Sequence, residues 1–317
     1  MLMNTFEKAA RFALLELLET KPGQSLLVAS EPRSAPISQA FRKVATSEHL
    51  DPIFIELPST PQKAELLSDV FRKMMQAVEK ALVIHTKTDP ATVSYLRGQT
   101  HTRVALVSGA DEDSLRRFLE VNHKRLSEHC RKLADILTIG RTLKLTSENG
   151  TDLKVSVTQM KGTAESSPLN GALACGSLPI GRAYVSPVVN SAQGILVLHA
   201  VAGQKSSGSQ PVHIKIRDGK IAQIKGGRAA QALRQLLRIG GDSTRLLVEI
   251  GFGLNDKAKL GQSALEDEKV LGTAHFGFGD MSGPAKSPAV FARGIISAPC
   301  LTIDGQKIMD LGKFSFA

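Results

Sequence analysis

The segment from Glu249 to Asp280 carries the side chains whose types and spacing are best suited to chemistry. Glu249 ends an apolar run, residues 266–268 form an acidic cluster, and His275 lies between glycine-rich turns. Glycines beside a histidine let the backbone approach closely and leave the imidazole free to face a cavity. Carboxylates together with an imidazole suit a divalent metal ion. Read from these residues alone, the ordinary alternative is favoured, in which His275 is a hydrogen-bonded core residue and the acidic cluster begins a helix.

Several common catalytic and binding motifs are absent from the chain. It contains no HExxH, GxSxG or GxxxxGK[ST], and no GxGxxG follows the first β-rich run, so the usual zinc-protease, serine-hydrolase and nucleotide-binding signatures are missing. The three cysteines, Cys130, Cys175 and Cys300, form no CxxC pair, which favours a reducing, cytoplasmic location. No apolar run reaches the roughly 18 residues that span a bilayer, so no membrane contact is predicted.

The formal net charge of +10 raises the question of a polyanionic partner. The lysines and arginines are spread along the chain without a run of five, and the chain has no Trp and two Tyr to stack on bases. A solvated basic surface is therefore the preferred interpretation, and nucleic acid is disfavoured as a partner. An anionic small ligand or an acidic partner is left open.

The elements that must position the candidate residues fall into two halves. In residues 1–135, short apolar runs alternate with helical patterns, which is typical of a parallel α/β layer. The β-rich runs are Ser25–Ala29, Ile53–Leu57, Ala81–His85 and Val104–Ser108. One long helix, roughly Glu112–Ile136, is predicted to lead into the second half.

The second half, residues 136–317, is richer in short strands and turns. The dipeptides Asp218–Gly219 and Asp304–Gly305 each separate two β-rich runs and predict hairpins. The predicted fold class is therefore α/β plus α+β, with an N-terminal parallel α/β layer and a C-terminal, mainly antiparallel β domain.

A set of short motifs runs in order through residues 133–314. They are GTDL at 150–153, LPIG at 178–181, VSP at 185–187, DGKI at 218–221, EIGFGLN at 249–255, EDEKVLGT at 266–273, HFGFGD at 275–280, and Pro299 followed by Asp304–Gly305. In this order they resemble the metal-dependent aminopeptidases called aminopeptidase T and their relatives, the 2,5-dihydroxypyridine dioxygenases. The resemblance implies an aminopeptidase T type of C-terminal domain, and assembly as a homo-oligomer.

The resemblance also implies a metal site, of which this chain keeps only part. Glu249 and His275 match two metal ligands of the family. Arg182, in LPIGR, stands where the family's LPxGE motif has a ligand glutamate, and Phe291 and Arg293 stand where the family has an H-x-D pair. We therefore predict a vestigial site with no metal and no other cofactor.

Charge arithmetic supports that prediction. A carboxylate facing a dication at about 4 Å gains ~8 kcal/mol at an effective dielectric constant of about 20, and an arginine at the same point is repelled by a comparable amount. The predicted ligand-binding residues are Arg182, Glu249, His275 and Arg293. The arginines are expected either to pair with Glu249 or to fork around the carboxylate of a ligand.

The favoured function is that of a pseudoenzyme, a non-catalytic homologue that binds a peptide or a small amino-acid-like carboxylate in a biosynthetic or peptide-modifying pathway. The alternative is an active metal-dependent aminopeptidase or an iron-dependent ring-cleaving dioxygenase. Such an enzyme would hold Zn, Co, Mn or Fe with ligands rearranged among Glu249, His275, residues 266–268 and Asp280. If catalysis survives, His275 is the candidate acid or base.

Overall fold

The computed structural model describes residues 3–57, 69–85, 90–97, 101–169, 175–201, 204–205, 210–281 and 289–316. The chain divides into two compact units, which are Met1–His123 with Glu165–Ile180, and Lys124–Ala164 with Gly181–Ala317. The sequence predicted a boundary at residue 135. In the structure the first unit also includes Glu165–Ile180, where Cys175–Leu178 extends the parallel sheet.

The first unit is built around a five-stranded parallel sheet. Its strands are β1 (Leu26–Ser30), β2 (Pro52–Glu56), β3 (Lys80–His85), β4 (Arg103–Ser108) and β8 (Cys175–Leu178). They lie in the order β2–β1–β3–β4–β8, and every neighbouring pair is parallel. The α-helices of this unit are α1 (Thr5–Arg11), α2 (Ala35–Ser47), α3 (Asp69–Ala77), α4 (Pro90–Arg97) and α5 (Glu112–Leu119), and a π-helical segment, Phe12–Leu17, continues α1.

The inner strands of this sheet explain why it could be recognised in the sequence. All residues of β1 and β3 are buried, and strands covered on both faces read as continuous apolar runs. The predicted parallel layer is confirmed, with strand ends displaced by one residue.

The single helix predicted over Glu112–Ile136 is wrong, because two helices occupy that stretch. After α5 ends, α6 (His123–Ile139) begins. The N–H groups of Glu120 and Val121 donate to carbonyl groups three residues back, at 3.1 and 3.2 Å. This tightening is characteristic of a helix end, so the first helix stops before α6 starts.

The second unit contains a large sheet whose long neighbouring strands run antiparallel. Its strands are β5 (Thr142–Thr146), β6 (Asp152–Ser156), β7 (Thr163–Glu165), β9 (Arg182–Val185), β10 (Gln193–Leu198), β11 (Ala200–Val201), β12 (Gln204–Lys205), β13 (Val212–Arg217), β14 (Lys220–Lys225), β15 (Leu246–Gly253), β16 (Thr273–Asp280), β17 (Ala289–Ser297), β18 (Cys300–Ile303), β19 (Gln306–Asp310) and β20 (Lys313–Phe314). Two further helices are α7 (Arg228–Gly240) and α8 (Ala264–Asp267). The predicted antiparallel domain is confirmed.

The main path of this sheet runs β12–β11–β17–β16–β15–β14–β13–β10–β6–β5–β18–β19–β20, and β9 pairs with β15. Both predicted hairpins are present. Asp218 and Gly219 join β13 to β14 with φ values of 48° and 72°, and Asp304 and Gly305 join β18 to β19 with φ values of 50° and 83°. These positive values suit the Asp-Gly pair. Among the residues that the structure describes, no helix has the length and hydropathy to cross a membrane.

Candidate functional site

Cross-strand pairing on one face of the large sheet brings three of the predicted residues together. Glu249 on β15 pairs with Gly277 on β16, and Gly277 pairs with Arg293 on β17. Two residues further along β15, Gly251 pairs with His275. Because residues two apart on a strand point to the same face, Glu249, His275 and Arg293 share that face.

Arg182 reaches the same face from a different strand. It is the first residue of β9 and pairs with Gly253, which lies two residues beyond Gly251 on β15. The N–H of Leu254 donates to the carbonyl of Gly181 at 2.9 Å, which continues this pairing past the strand end. The LPIGR motif is therefore anchored alongside the EIGFG motif.

Two glycines make room for the side chains of this face. A Cβ atom at Gly251 would overlap the imidazole of His275, and one at Gly277 would lie 2.9 Å from Cβ of Glu249. Glycine inside a strand often marks such a close approach. The alternating glycines of EIGFG and HFGFG thus clear the space that Glu249 and His275 occupy.

The segment between α8 and β16 carries Glu268 to the site. Ser263 caps the short helix α8 by accepting a hydrogen bond from the N–H of Glu266 at 3.1 Å, and Glu268 follows the helix. The next residues are tied to Asn255, whose N–H donates to the carbonyl of Lys269 at 2.8 Å. This anchoring directs the fully buried Glu268 side chain into the site.

The guanidinium of Arg182 lies at the centre of the site. Its Nη1 atom is 2.6 Å from Oε2 of Glu268, 2.9 Å from Oε1 of Glu249 and 2.8 Å from Nε2 of His275. The side chain has no solvent exposure, and its Cζ lies 4.4 Å from the ring centroid of Tyr184, within cation–π range. One nitrogen therefore contacts two carboxylates and an imidazole.

Arg293 closes a ring of alternating charge. Its Nη1 lies 2.7 Å from Oε1 of Glu249, and its Nε lies 2.8 Å from Oε1 of Glu268. Since Arg182 contacts the same two carboxylates, the four side chains Arg182, Glu249, Arg293 and Glu268 form a closed cycle, which we call the charge ring. Lys269 stands beside it, with Nζ 3.9 Å from Oε2 of Glu268.

Neighbouring charges and burial set the protonation states of Glu268 and of the adjacent His275. Burial raises the pKa of Glu268, but the charges of Arg293, Arg182 and Lys269 together outweigh burial and hold that pKa below its usual value. Burial also lowers the pKa of His275 to about 4. Near neutral pH, Glu268 is therefore an anion and His275 is uncharged.

Hydrogen-bond roles constrain the tautomer of His275. A guanidinium nitrogen only donates, so a hydrogen bond from Arg182 to Nε2 of His275 requires the ring proton on Nδ1. Nδ1 is buried and has no hydrogen-bond partner within the described part of the chain. The two hydrogens of Nη1 face three acceptors, so at least one of the three contacts is purely electrostatic.

All four residues predicted to bind ligand, Arg182, Glu249, His275 and Arg293, meet in this one cluster. Sequence reasoning did not single out Glu268, which it grouped with its two acidic neighbours. The two neighbours stabilise the preceding loop instead. Glu266 accepts a hydrogen bond from the N–H of Lys259, and Asp267 accepts one from the N–H of Gly261. The side chain of Phe291 lies outside the described residues.

Three of the clustered side chains have the chemistry of a metal site. Glu249, Glu268 and His275 each offer one ligand atom, and these atoms all lie within 4.8 Å of one another. Two carboxylates and an imidazole suit Zn²⁺, Fe²⁺ or Mn²⁺. In the conformation described, Nη1 of Arg182 contacts all three, so the donors fit an ion only when that guanidinium is withdrawn.

Comparison by family model and comparison by solved structure both relate the chain to 2,5-dihydroxypyridine dioxygenase. The model of the family NicX, 2,5-dihydroxypyridine 5,6-dioxygenase, matches residues 9–279. The solved structure of 2,5-dihydroxypyridine dioxygenase from Pseudomonas putida KT2440 aligns over 99% of this chain and 96% of its own, with a TM-score of 0.76 and 18% identity. Wild-type AmpT from Thermus thermophilus aligns over 98% of this chain and 99% of its own, with a TM-score of 0.73 and 15% identity. No curated protein matches the chain in sequence.

These comparisons correct one prediction. The expectation that the site takes no metal cofactor is contradicted, because the matching family and both structural relatives are metal-dependent enzymes and the chain keeps the donor group Glu249, Glu268 and His275. The resemblance inferred from the ordered motifs is confirmed, because the family match covers most of the chain. The chain belongs to the 2,5-dihydroxypyridine 5,6-dioxygenase family, NicX.

Proposed function

We propose that this chain is a binding member of its family, in which the charge ring receives the carboxylate of a small ligand such as an amino acid or the end of a peptide. The observation that carries the proposal is the position of Arg182, whose Nη1 lies within 2.9 Å of Glu249, Glu268 and His275. A guanidinium stays protonated in proteins. The centre therefore holds a fixed positive charge where catalysis by the donor group would need an open position.

The charge balance of the cluster favours an anion. Arg182, Arg293 and Lys269 contribute three positive charges, whereas Glu249 and Glu268 contribute two negative charges, and His275 is neutral at pH 7. A ligand with one carboxylate would neutralise the remaining positive charge. Charge-assisted hydrogen bonds from arginine to carboxylate are among the stronger ones in proteins.

Arg293 is the member through which a ligand would make contact. Its side chain is 13% exposed, whereas those of Arg182 and Glu268 are fully buried. Its Nε and Nη1 face the two glutamates, and its Nη2 forms no hydrogen bond to the residues that the structure describes. That nitrogen is the donor available to an incoming carboxylate.

A divalent ion and the guanidinium of Arg182 compete for the same three donors. When the guanidinium is withdrawn, Glu249, Glu268 and His275 would hold the ion, which would supply Lewis-acid or redox chemistry. The second candidate function is accordingly that of an active metal-dependent aminopeptidase or ring-cleaving dioxygenase, and the donor group within 4.8 Å supports it.

Isothermal titration calorimetry with alanyl-alanine, glutamate and acetate tests the first candidate. We expect wild-type protein to bind at least one of these carboxylates. Arg293→Gln should weaken binding by tenfold or more, because it removes the exposed guanidinium. Arg228→Gln, which removes an exposed charge from α7, is the matched control and should bind like wild type.

The second candidate is tested in parallel. Wild-type protein is supplied with Fe²⁺, Zn²⁺, Mn²⁺ or Co²⁺, and consumption of 2,5-dihydroxypyridine and release of free alanine from alanyl-alanine are followed. Sustained turnover that disappears in His275→Ala and Glu268→Gln would replace the binding proposal with the enzymatic one. Absence of heat with all three carboxylates, together with full folding, would contradict the binding proposal. The peptide-like ligand, the cytoplasmic location and self-association stay predictions.

A further inference from the structure

The positive charge of the chain is concentrated in one unit. The second unit contains 25 Lys and Arg against 14 Asp and Glu, whereas the first contains 15 against 16. The second unit therefore carries a formal charge of +11 and the first a charge of −1, and the cations of the second unit come from distant parts of the sequence. A surface of this kind can be produced by folding even when no basic run exists in the sequence.

Seven strands of the large sheet carry one transverse row of exposed or half-buried polar side chains. In spatial order across β14, β13, β10, β6, β5, β18 and β19, the row consists of Lys220, Arg217, Gln193, Lys154, Lys144, Thr302 and Lys307. We call it the cationic row. Neighbouring strands lie roughly 4.8 Å apart, so the row is about 29 Å long.

Strand register places these residues side by side. Arg217 pairs with Lys220, Lys154 pairs with both Gln193 and Lys144, and Thr302 joins Lys144 to Lys307. Between β10 and β13, Gly194 pairs with Ile216. The strands are antiparallel, so Gln193 and Arg217, the residues next to that pair, lie opposite each other. The pattern of alternating burial on β13 confirms that its basic residues share the exposed face.

Two of these pairs place like charges directly opposite each other. Arg217 faces Lys220, and Lys144 faces Lys154. Such cross-strand pairs destabilise a sheet. Within the described residues, Lys154, Arg217 and Lys220 form no ion pair, whereas Lys144 lies 3.6 Å from Asp152 and Lys307 lies 3.0 Å from Asp310. An external polyanion would relieve the repulsion that remains.

We infer that the cationic row binds the phosphate backbone of nucleic acid independently of base sequence. Five cations in line complement a linear array of phosphates, and Thr302 adds a neutral hydroxyl between them. Gln193 separates Arg217 from Lys154, and its Nε2 donates to Oδ1 of Asp218 at 2.7 Å. A length of about 29 Å corresponds to roughly eight base pairs of duplex. The row contains no aromatic side chain to stack on bases, so contacts to the backbone carry the binding. This site is independent of the charge ring and of the function proposed for it.

Fluorescence polarisation with a labelled 20-nucleotide poly-dT strand and a labelled 20-base-pair duplex tests the inference in the full-length protein. The affinity for the single strand should fall with salt concentration with a logarithmic slope of about −3.5 if five phosphates are contacted. The triple variant Lys144→Gln, Lys154→Gln, Arg217→Gln should reduce the magnitude of that slope to about 1.4 and weaken binding at least tenfold at low salt. The control triple variant Arg228→Gln, Arg234→Gln, Arg238→Gln removes the same charge from α7 and should stay within twofold of wild type.

Three outcomes would overturn the inference. The first is that wild-type protein does not bind either nucleic acid at low salt. The second is that both triple variants lose affinity equally, which would indicate net charge rather than this row. The third is that a labelled poly-glutamate of equal charge binds the row more tightly than the oligonucleotides, which would assign the surface to an acidic protein.

Discussion

The Nη1 atom of Arg182 lies 2.6 Å from Oε2 of Glu268, at a point where neither side chain is accessible to solvent. A buried ion pair carries a desolvation cost that mutual attraction offsets only when the surrounding polar atoms are also satisfied. Here Glu249, His275 and Arg293 supply further contacts to the two side chains. The pair therefore depends on the whole charge ring, and loss of one member leaves the others buried and uncompensated.

Arg182→Met is expected to destabilise the protein by about 3–5 kcal/mol, because it leaves two buried carboxylates without their central cation. Urea unfolding followed by circular dichroism measures the change. Arg228→Met, on the exposed face of α7, is the control and should change the free energy of unfolding by less than about 0.5 kcal/mol. Addition of Glu268→Gln to Arg182→Met should restore part of the loss, and a double variant that is no more stable than the single one would contradict the buried-charge explanation.

Arg182→Ala should also raise the affinity of the donor group for a divalent ion. The substitution withdraws the guanidinium from Glu249, Glu268 and His275 and removes a charge that repels the ion. We expect at least tenfold tighter binding of Zn²⁺ or Mn²⁺ than in wild type by isothermal titration calorimetry, together with a rise in melting temperature when the ion is added. His275→Ala in the same background should remove the gain. Equal ion affinity in wild type and Arg182→Ala would mean that the guanidinium does not compete for these donors.

The sequence predicted the scaffold better than it predicted the membership of the site. Continuous apolar runs such as Ala81–His85 and turn pairs such as Asp218–Gly219 are local signals, and both correspond to elements of the structure. Glu268 gives no such signal, since it is one of three consecutive acids whose spacing does not distinguish them. Its selection depends on main-chain contacts between Lys269 and Asn255, which lie 14 residues apart in the chain.

The cationic row likewise could not be predicted from short stretches of sequence. Lys144, Lys154, Arg217 and Lys307 are scattered in the sequence, and their dispersion argued against a polyanion-binding surface. Strand order and register together place them in one row, and both depend on non-local pairing. A scan for basic runs cannot detect a surface assembled in this way.

His123 should make stability depend on pH in the acid range. Its ring centroid lies 4.2 Å from that of Phe12 and 4.7 Å from that of Phe118, and burial lowers the pKa of His123 to about 4 from an ordinary value of 6.5. Between these values the unfolded chain holds a proton that the folded chain lacks, so the free energy of unfolding should fall as pH drops from 6.5 towards 4.

The variant His123→Phe isolates this contribution. On lowering the pH, the free energy of unfolding should fall by about 1–2 kcal/mol less in the variant than in wild type. This figure allows for partial screening of the ring by solvent. Urea unfolding at pH 7.5 and pH 5 gives the comparison, and the contribution of the buried His275 cancels in the difference. Identical pH dependence in the two proteins would show that His123 titrates normally in the fold.

Lys154→Gln should stabilise the isolated protein while weakening nucleic-acid binding. Lys154 faces Lys144 directly across β6 and β5, and removal of one of two opposed like charges should raise the free energy of unfolding by about 0.2–1 kcal/mol. The gain should shrink as salt screens the repulsion, so urea unfolding at 20 and 500 mM NaCl separates it from a change in strand propensity. Lys215→Gln, which pairs with the neutral Gln223, is the matched control and should show no salt-dependent gain. If Lys154→Gln destabilises the protein at low salt, the opposed lysines are not repulsive in the fold, and the argument that this row is shaped for an external anion loses its energetic basis.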